Sequence, residues 1–411
     1  MTLSIQRSLW KVTFVTLAIG TLFFAREKWR LRREYLHEET VLRHVKPVPF
    51  LKKEPAPWML AQIEEDFRGI GAISPADIDA AFAKIAHLVP RVVRYRIVDG
   101  ELYRYFVEQE PISLADNGTE KAIKTILEKS KLPNMDFIIS YFDAYPFADV
   151  ELNVPIFVSA KLDGTLNAPL IPDWRSIGHW WMSDIKAILK ARTPWEKKRP
   201  FALWRGGPTK LLRYTLCQLS LDHPMCLDAR FSSHPEEPSL RKTIEARGFL
   251  GPRCSWEEFL GCKYLPYVDG VMCAAPALQW RLLSGSLTFK PDSKEIQWFY
   301  RPLRPYIHYV PVNGDLSNLI EKIEWAKSDD DACKIIAENA LKFAEENLMY
   351  ADVLNYFSFV LKKYGSCQKS FAKSMKKEIE HNPQWVNIQS RQTLRKKTLG
   401  LFVPHSTPAD L

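Results

Sequence analysis

No two cysteines of this chain form a Cys-x-x-Cys pair, and none of the 7 stands at zinc-ligand spacing. Cys217, Cys226, Cys254, Cys262, Cys273, Cys333 and Cys367 are an odd, scattered set. That excludes a dense disulfide framework and suits a reducing compartment, with one bridge near Cys254 and Cys262 left open. Internal repeats are also missing, which excludes a solenoid. The N-terminal apolar run, Val12–Ala25, is shorter than the ~20 residues of a usual spanning helix. Adding Ser8–Lys11 brings it to span length, with Lys11 reaching the interface. No small-residue cleavage site precedes Arg26, so the run reads as an uncleaved anchor rather than a signal peptide. Arg7 and Lys11 precede it, whereas Arg26, Lys28, Arg30, Arg32 and Arg33 follow. The positive-inside bias then puts the rest of the chain on the cytoplasmic side.

The remaining composition is that of a globular protein of two domains: 411 residues, 46% hydrophobic and 26% charged. A net charge of +9 favours acidic partners such as nucleotide phosphates or anionic lipid. The excess lies near the two ends and is not interleaved with aromatics on one sheet, which argues against nucleic acid. Residues 1–34 read as anchor and basic flank, and 35–56 as a polar, proline-bearing linker. The tail, 366–411, is basic and either folds back on the first half or touches anionic lipid.

Strand and helix signals alternate between these ends. Ser74 and Pro75 announce a helix start. Val92–Tyr105 alternates around Asp99-Gly100 like a hairpin. Asp136–Tyr141 reads as a buried strand running towards Asp143. From about Trp195 the pattern becomes that of a parallel sheet. It predicts strands at Phe201–Trp204, Leu287–Lys290 and Ile307–Val312, with helices at Leu211–Leu219, Leu278–Leu283 and Leu316–Ala326, the last capped by Asp315.

The most informative stretch is Pro200–Arg213, PFALWRGGPTKLLR. It reads as a strand, a turn carrying Arg205, Gly206, Gly207 and Thr209, and a helix beginning near Thr209. Glycines let backbone approach a ligand, a helix start aims N–H groups at an anion, and Arg205 and Arg213 add cationic forks. A nucleotide diphosphate needs these features, although strand–glycine–helix turns also occur without phosphate, and Arg213 also reads as a solvated helix arginine. Asp143, at a strand end, can project into a cleft as a general base or can simply cap a turn. Asp173 can bind an acceptor or orient its loop. Ser284, Gly285 and Ser286 form a tight helix–strand link, suited to close ligand approach or to ordinary turn chemistry. His308 reads better as a core histidine than as a base. The acidic pairs at Asp77/Asp79 and the run Asp329–Asp331 fall in first helical turns, where carboxylates favour the dipole, so no required metal is expected.

Several segments, in order, resemble the capsule-associated-protein (CAP10) type of glycosyltransferase, family 90, which includes protein O-glucosyltransferases and lipopolysaccharide-modifying enzymes. They are FIISYFDAYPF (Phe137–Phe147), PLIPDWRSIGHW (Pro169–Trp180), the WRGG turn with LCQLSLDHPMCLDARF after it, KYLPYVDG (Lys263–Gly270), LQWRLLSGSLTFK (Leu278–Lys290) and PYIHYVPVNGDLSNLIEKIEWA (Pro305–Ala326). The resemblance covers roughly Pro57 to Gly365. It implies an α/β, GT-B-like fold of two Rossmann-like halves facing a central cleft, here 57–194 on the acceptor side and 195–365 on the nucleotide-sugar side. It also implies a nucleotide-sugar donor, commonly UDP-linked, inversion at the anomeric carbon, and no obligatory metal or other cofactor. The acceptor would be a glycan, a lipid-linked or lipopolysaccharide-like molecule, or a protein.

By the same resemblance Asp143, with Pro146, matches the family's catalytic aspartate in a D-x-x-P setting. Asp269-Gly270 matches its DG element beside the donor. The sequence departs from the family after that element. Val271, Met272, Cys273, Ala274 and Ala275 stand where polar residues are usual, and Gly207 replaces a common serine. Ala277 lies near the place of a diphosphate arginine, so Arg281 would have to substitute. The apolar loop leaves an alternative open: a membrane-surface binding protein that keeps the fold without the chemistry.

Overall fold

The computed structural model describes residues 55–388 apart from 89–90, 108–113, 144, 146, 148, 234, 236 and 369–371. The Val12–Ala25 run, almost all of the 35–56 linker, Pro146 and residues 389–411 therefore lie outside the described residues. Among the described residues no helix is long and apolar enough to cross a membrane.

The chain begins with helix α1 (Pro57–Asp66) and α2 (Pro75–Ile85). Ser74 and Asp77 form a reciprocal capping box at the start of α2. Strands β1 (Val92–Val98) and β2 (Glu101–Tyr105) form the expected antiparallel hairpin, with Asp99 and Gly100 at positive φ of 50° and 81°. After α3 (Leu114–Lys129), β3 (Met135–Ser140) pairs antiparallel with the other edge of β1. Every residue of β1 is buried, including Arg94 and Arg96. Both guanidiniums bond Asp136 of β3, at 2.7–2.9 Å and 2.6 Å, so the charges are met in place. Beyond β3 the layer continues through parallel bridges, Ile139 to Phe157 and Val158 to Leu170. The first half is thus mainly antiparallel rather than a Rossmann-like parallel unit. The β1–β2 hairpin returns the chain beside itself, and α3 then carries it over β1 to the far edge, where β3 pairs.

Strand β4 (Lys161–Leu162), the short α4 (Trp174–Ile177) and α5 (His179–Ala191) lead to the second half. There the order is β5 (Arg199–Gly206), α6 (Leu211–Asp222), β6 (Leu227–Phe231), α7 (Pro238–Ala246), α8 (Trp256–Leu260), β7 (Cys262–Pro266), α9 (Ala277–Leu283), β8 (Leu287–Pro291), β9 (Glu295–Ile296), β10 (Val310–Val312) and α10 (Leu319–Ser328). Strands β6, β5, β7, β8 and β10 lie side by side in that order, all parallel, while β9 pairs with β4. The sheet is doubly wound: the chain leaves β5 to one side, then crosses to β7 on the other. Ligands of such sheets bind where the carboxyl ends of those two strands part. The parallel sheet therefore supports a Rossmann-like second half and fixes where its binding crevice must be.

Two details differ from expectation. Helix α10 begins after Asn318 rather than at Asp315, whose carboxylate instead accepts from Ser317 N at 2.9 Å in a local turn. Strand β10 starts only at Val310, because His308 closes a turn by accepting from Arg304 N at 3.0 Å.

The chain then returns. Helix α11 (Asp330–Asn347) packs on α9 and β8, whereas α12 (Tyr350–Ser366) packs on α1, α3 and α4 of the first half. Its apolar side, Val353, Phe357, Val360 and Tyr364, is buried. Tyr356 donates to Leu170 O at 3.3 Å, and Trp181 Nε1 to Leu348 O at 2.9 Å. Finally α13 (Ala372–His381) and β11 (Trp385–Asn387) close on the first sheet, where β11 pairs with β2. The Trp385 ring lies 4.0 Å from the Arg96 guanidinium. Of the two fates open to the tail, residues 372–388 take the first and fold back.

Candidate active site

A cavity of about 320 Å³ opens at the parting of β5 and β7. Its volume lies at the small-molecule end of ligand sites. One wall comes from the second half: Trp204, Arg205, Gly206, Thr209, Arg213, Gly270 and Arg281. The other comes from the first: Asp143, Ser159, Asp173, Trp174 and Arg175. Asp143 and the glycine turn, far apart in sequence, thus share one cavity.

The second-half wall is tightly constructed. Gly206 is glycine because a Cβ would stand 2.5 Å from the Trp204 ring, a contact within the fold itself. At Gly270 a Cβ would meet Arg213 Nη2 at 3.1 Å and Thr209 Oγ1 at 3.4 Å, so those three residues adjoin. Arg213 is 3% exposed and ties the turn to the DG element. It donates from Nε to Asp269 O at 2.9 Å, from Nη1 to Gly207 O at 2.9 Å, and from Nη2 to Val268 O at 3.3 Å. It is a buried clamp, not a solvated helix arginine. Arg205 is also engaged, donating to Pro252 O, Trp204 O and Asp228 O and pairing with the Asp228 carboxylate at 2.7 Å. Helix α6 starts at Leu211, with Lys210 rather than Thr209 as its cap residue.

Arg281 bonds Pro266 O and Ala277 O, both at 3.0 Å, and has no carboxylate in ion-pair range among the described residues. Burial pushes its pKa down to about 9, with Tyr267 opposing the fall and Arg213 adding to it. A buried cation in that state favours the arrival of an anion.

The first-half wall carries acids. Asp143 lies just past β3 and is exposed. Asp173 caps α4, accepting from Arg175 N at 2.8 Å. Burial raises its pKa to about 6, with Asp143 adding to the rise and Arg175 opposing it. Asp184, on α5, is raised to about 6 by the same cause. Arg175, which the sequence reading did not single out, lines the cavity beside them; its place next to Asp173 in PDWR was the available signal.

Other expected site residues stand apart from the cavity lining. Gly207 and Asp269 contribute carbonyls to Arg213, and Asp269 accepts from Tyr267 OH at 2.7 Å. Ser284, Gly285 and Ser286 precede β8, at the amino end of the sheet, opposite the crevice. There Lys198 Nζ bonds Ser284 O at 3.3 Å and Ser286 Oγ at 2.8 Å, while Gly285 turns the chain at φ 65°. Turn chemistry accounts for all three, because helix–strand links in a parallel sheet reach the ligand only at the strand's other end. All 7 cysteines are free, so Cys254 and Cys262 form no bridge.

Asp269, Cys273 and Glu295 bring potential ligand atoms within 4.8 Å of one another. Lys210 pairs with Glu295 and Tyr267 with Asp269, so protein groups already meet these acids. Of the acidic runs, Asp77 serves the α2 cap, Asp79 pairs with Arg94 at 2.7 Å, and Asp330 pairs with Lys263 at 2.6 Å. The loop Val271–Ala275 lines the cavity, held by Ala274 N donating to Tyr267 OH at 3.0 Å.

Residues 53–406 match the model of the glycosyl transferase family 90. The human protein O-glucosyltransferase 1 is 28% identical over 66% of this chain and 71% of its own length. Human protein O-glucosyltransferase 3 is 26% identical over 68% of the chain and 56% of its own length. The zebrafish (Danio rerio) protein O-glucosyltransferase 2 is 36% identical over 42% of the chain, and the match spans 34% of that protein. The match thus spans from about a third to under three quarters of these relatives. With a family match running over most of its length, the chain belongs to glycosyl transferase family 90.

Proposed function

We propose that the protein transfers a sugar from a nucleotide donor, UDP-linked in the first instance, to an acceptor hydroxyl with inversion. The observation that carries this is the single cavity shared by Asp143 and the Gly206–Thr209 turn at the switch point of the parallel sheet. Residues 195–365 then hold the donor and 57–194 the acceptor, in the GT-B manner. Asp143 takes the proton of the acceptor hydroxyl as its oxygen attacks the anomeric carbon. The bond from that carbon to the diphosphate breaks on the opposite face. The departing negative charge falls beside Arg213, Arg281 and the Thr209 turn, fixed before the reaction begins. Asp173 orients α4 and its acceptor-side loop. The relatives are named as glucosyltransferases acting on protein, so UDP-glucose and a protein hydroxyl are the first pair to assay.

The test is nucleoside diphosphate release from a panel of nucleotide sugars by the full chain, beside the Asp143→Asn variant. Turnover by the native protein and its loss in the variant support the reading; equal turnover removes Asp143 from the mechanism. The apolar lining at Val271–Ala275 favours a second reading, a binding protein without transfer. Saturable nucleotide-sugar binding with no release from any donor would establish it.

A further inference from the structure

The arginines around the cavity fall into two groups. Arg205, Arg213 and Arg281 have their donors engaged on backbone carbonyls, and Arg205 also on Asp228. Arg175 differs. Its guanidinium makes no hydrogen bond or ion pair among the described residues, and its Nε is shut away from solvent without an acceptor. A buried donor left unmade is costly, and it persists where a ligand supplies the missing acceptor. Nearby acids do not fill that role. The Asp173 carboxylate accepts from the backbone N of Arg175, not from its side chain, and Asp184 acts on it only through space.

The position of Arg175 is fixed by its neighbour. Ser176 Oγ donates to Gln279 Oε1 at 2.8 Å, a buried bond joining α4 of the first half to α9 of the second. Arg175 is therefore held beside the end of α9 that enters the cavity at Ala277, on the helix that carries Arg281. Charge agrees with this placement. With Arg205 offset by Asp228, the lining holds four arginines (175, 213, 253 and 281) against two carboxylates, Asp143 and Asp173. The surplus of two positive charges is what a sugar-linked diphosphate, with two negative charges, cancels.

We propose that Arg175 binds the donor's diphosphate from the wall that carries Asp143, so that both halves of the protein grip the leaving group. This rests on the nucleotide-donor reading above and extends it. Bidentate contact suits the planar fork of arginine, and the contact closes only when the two halves are joined across α4 and α9. Donor affinity and the alignment of Asp143 are thereby linked through adjacent first-half residues.

Calorimetry on the full chain tests this, with UDP and GDP as diphosphate probes and uridine and guanosine as phosphate-free controls. Arg175→Gln is expected to weaken diphosphate binding about tenfold to a hundredfold and to leave nucleoside binding unchanged. Arg175→Lys should recover part of the loss, which a folding defect would not allow. Undiminished UDP and GDP affinity in Arg175→Gln overturns the proposal, as does a rise in acceptor KM with diphosphate affinity intact, which would move Arg175 to acceptor recognition. If the native protein binds neither diphosphate, the nucleotide-donor reading itself fails and this proposal falls with it. Native binding that survives Arg175→Gln removes Arg175 alone.

Discussion

The two walls of the cavity are built on opposite plans. On the second-half wall the cations are rigid parts of the fold: Arg213 joins the turn to the DG element through three carbonyls, and Arg205 is locked against β6. Side chains of the first-half wall keep open chemistry: an exposed carboxylate at Asp143, a buried one at Asp173 with its pKa raised, and Arg175 with an orphaned Nε. A wall that must be complementary before the ligand arrives is preorganised by its own backbone. One that must take a proton and admit an acceptor keeps titratable groups near water. The largest expected effect therefore sits on the first wall. Asp143→Asn should lower kcat by about 10²–10⁴-fold while leaving UDP affinity within a few-fold, measured by steady-state release and calorimetry. Loss of affinity with unchanged kcat would place Asp143 in the binding wall and break the contrast.

The contrast recurs along one strand. Asp136 lies in β3 and Asp143 just past its end, yet Asp136 is fully buried and bonded by Arg94 and Arg96. Removing its carboxylate strands two buried guanidiniums. Asp136→Ala should cost about 3–5 kcal/mol of stability in urea unfolding, with kcat per folded molecule little changed. A loss under about 1 kcal/mol would mean that Asp79 and Glu378, which also pair with these arginines, carry the charge by themselves.

The acids behind the first wall give a pH signature. Asp173 and Asp184 have folded pKa values of about 6, raised by burial from an ordinary value of 3.8. The folded state thus binds more protons than the unfolded chain between roughly pH 4 and 6. Their stabilising contribution is complete below about pH 4 and is lost as pH rises through about 6, at roughly 2–3 kcal/mol apiece. Thermal melts from pH 4 to 7 should show it after subtraction of an Asp173→Asn, Asp184→Asn double variant, in which the amide oxygen of the new side chain still caps α4. An identical pH dependence in native and double variant would show that neither carboxyl titrates in this range.

Much of this arrangement was legible in the sequence where local chemistry decides. The helix start at Ser74 and Pro75, the Asp99-Gly100 hairpin and the strand–turn–helix at Phe201–Leu219 are set by neighbouring residues, and the structure has all three. What escaped was set by partners distant in sequence. The first sheet's edge strand β11, which pairs with β2, arrives from residues 385–387. Helix α12 carried a readable apolar spacing, Val353, Phe357, Val360 and Tyr364, but its packing on the first half did not follow from it. Gly206 lines the cavity, and the Trp204 indole against which a Cβ would press also accounts for the glycine, a contact that spacing does not show. Ser284–Ser286 left ligand approach and turn chemistry both open, because a glycine-bearing link looks alike at either end of a strand and only the sheet's direction tells them apart. Arg175 offered only its place next to Asp173 as a signal, because an arginine's value here lies in what its neighbours leave unfilled.

The smallest expected effect tests whether the second wall is as rigid as its bonds suggest. Asp228 pairs with Arg205 at 2.7 Å, but its side chain is 36% exposed. Water can replace much of that attraction, so Asp228→Asn should cost no more than about 1 kcal/mol in urea unfolding. Arg205 keeps the carbonyls of Pro252, Trp204 and Asp228 itself, and the backbone around it should hold. UDP affinity should then stay level or tighten a few-fold, because a guanidinium lining the cavity loses its competing carboxylate. A tenfold fall in UDP affinity would mean that the Asp228 carboxylate aims Arg205 at the ligand. The second wall would then depend on an exposed ion pair for its shape, and the division between a prebuilt wall and a chemical one would no longer hold.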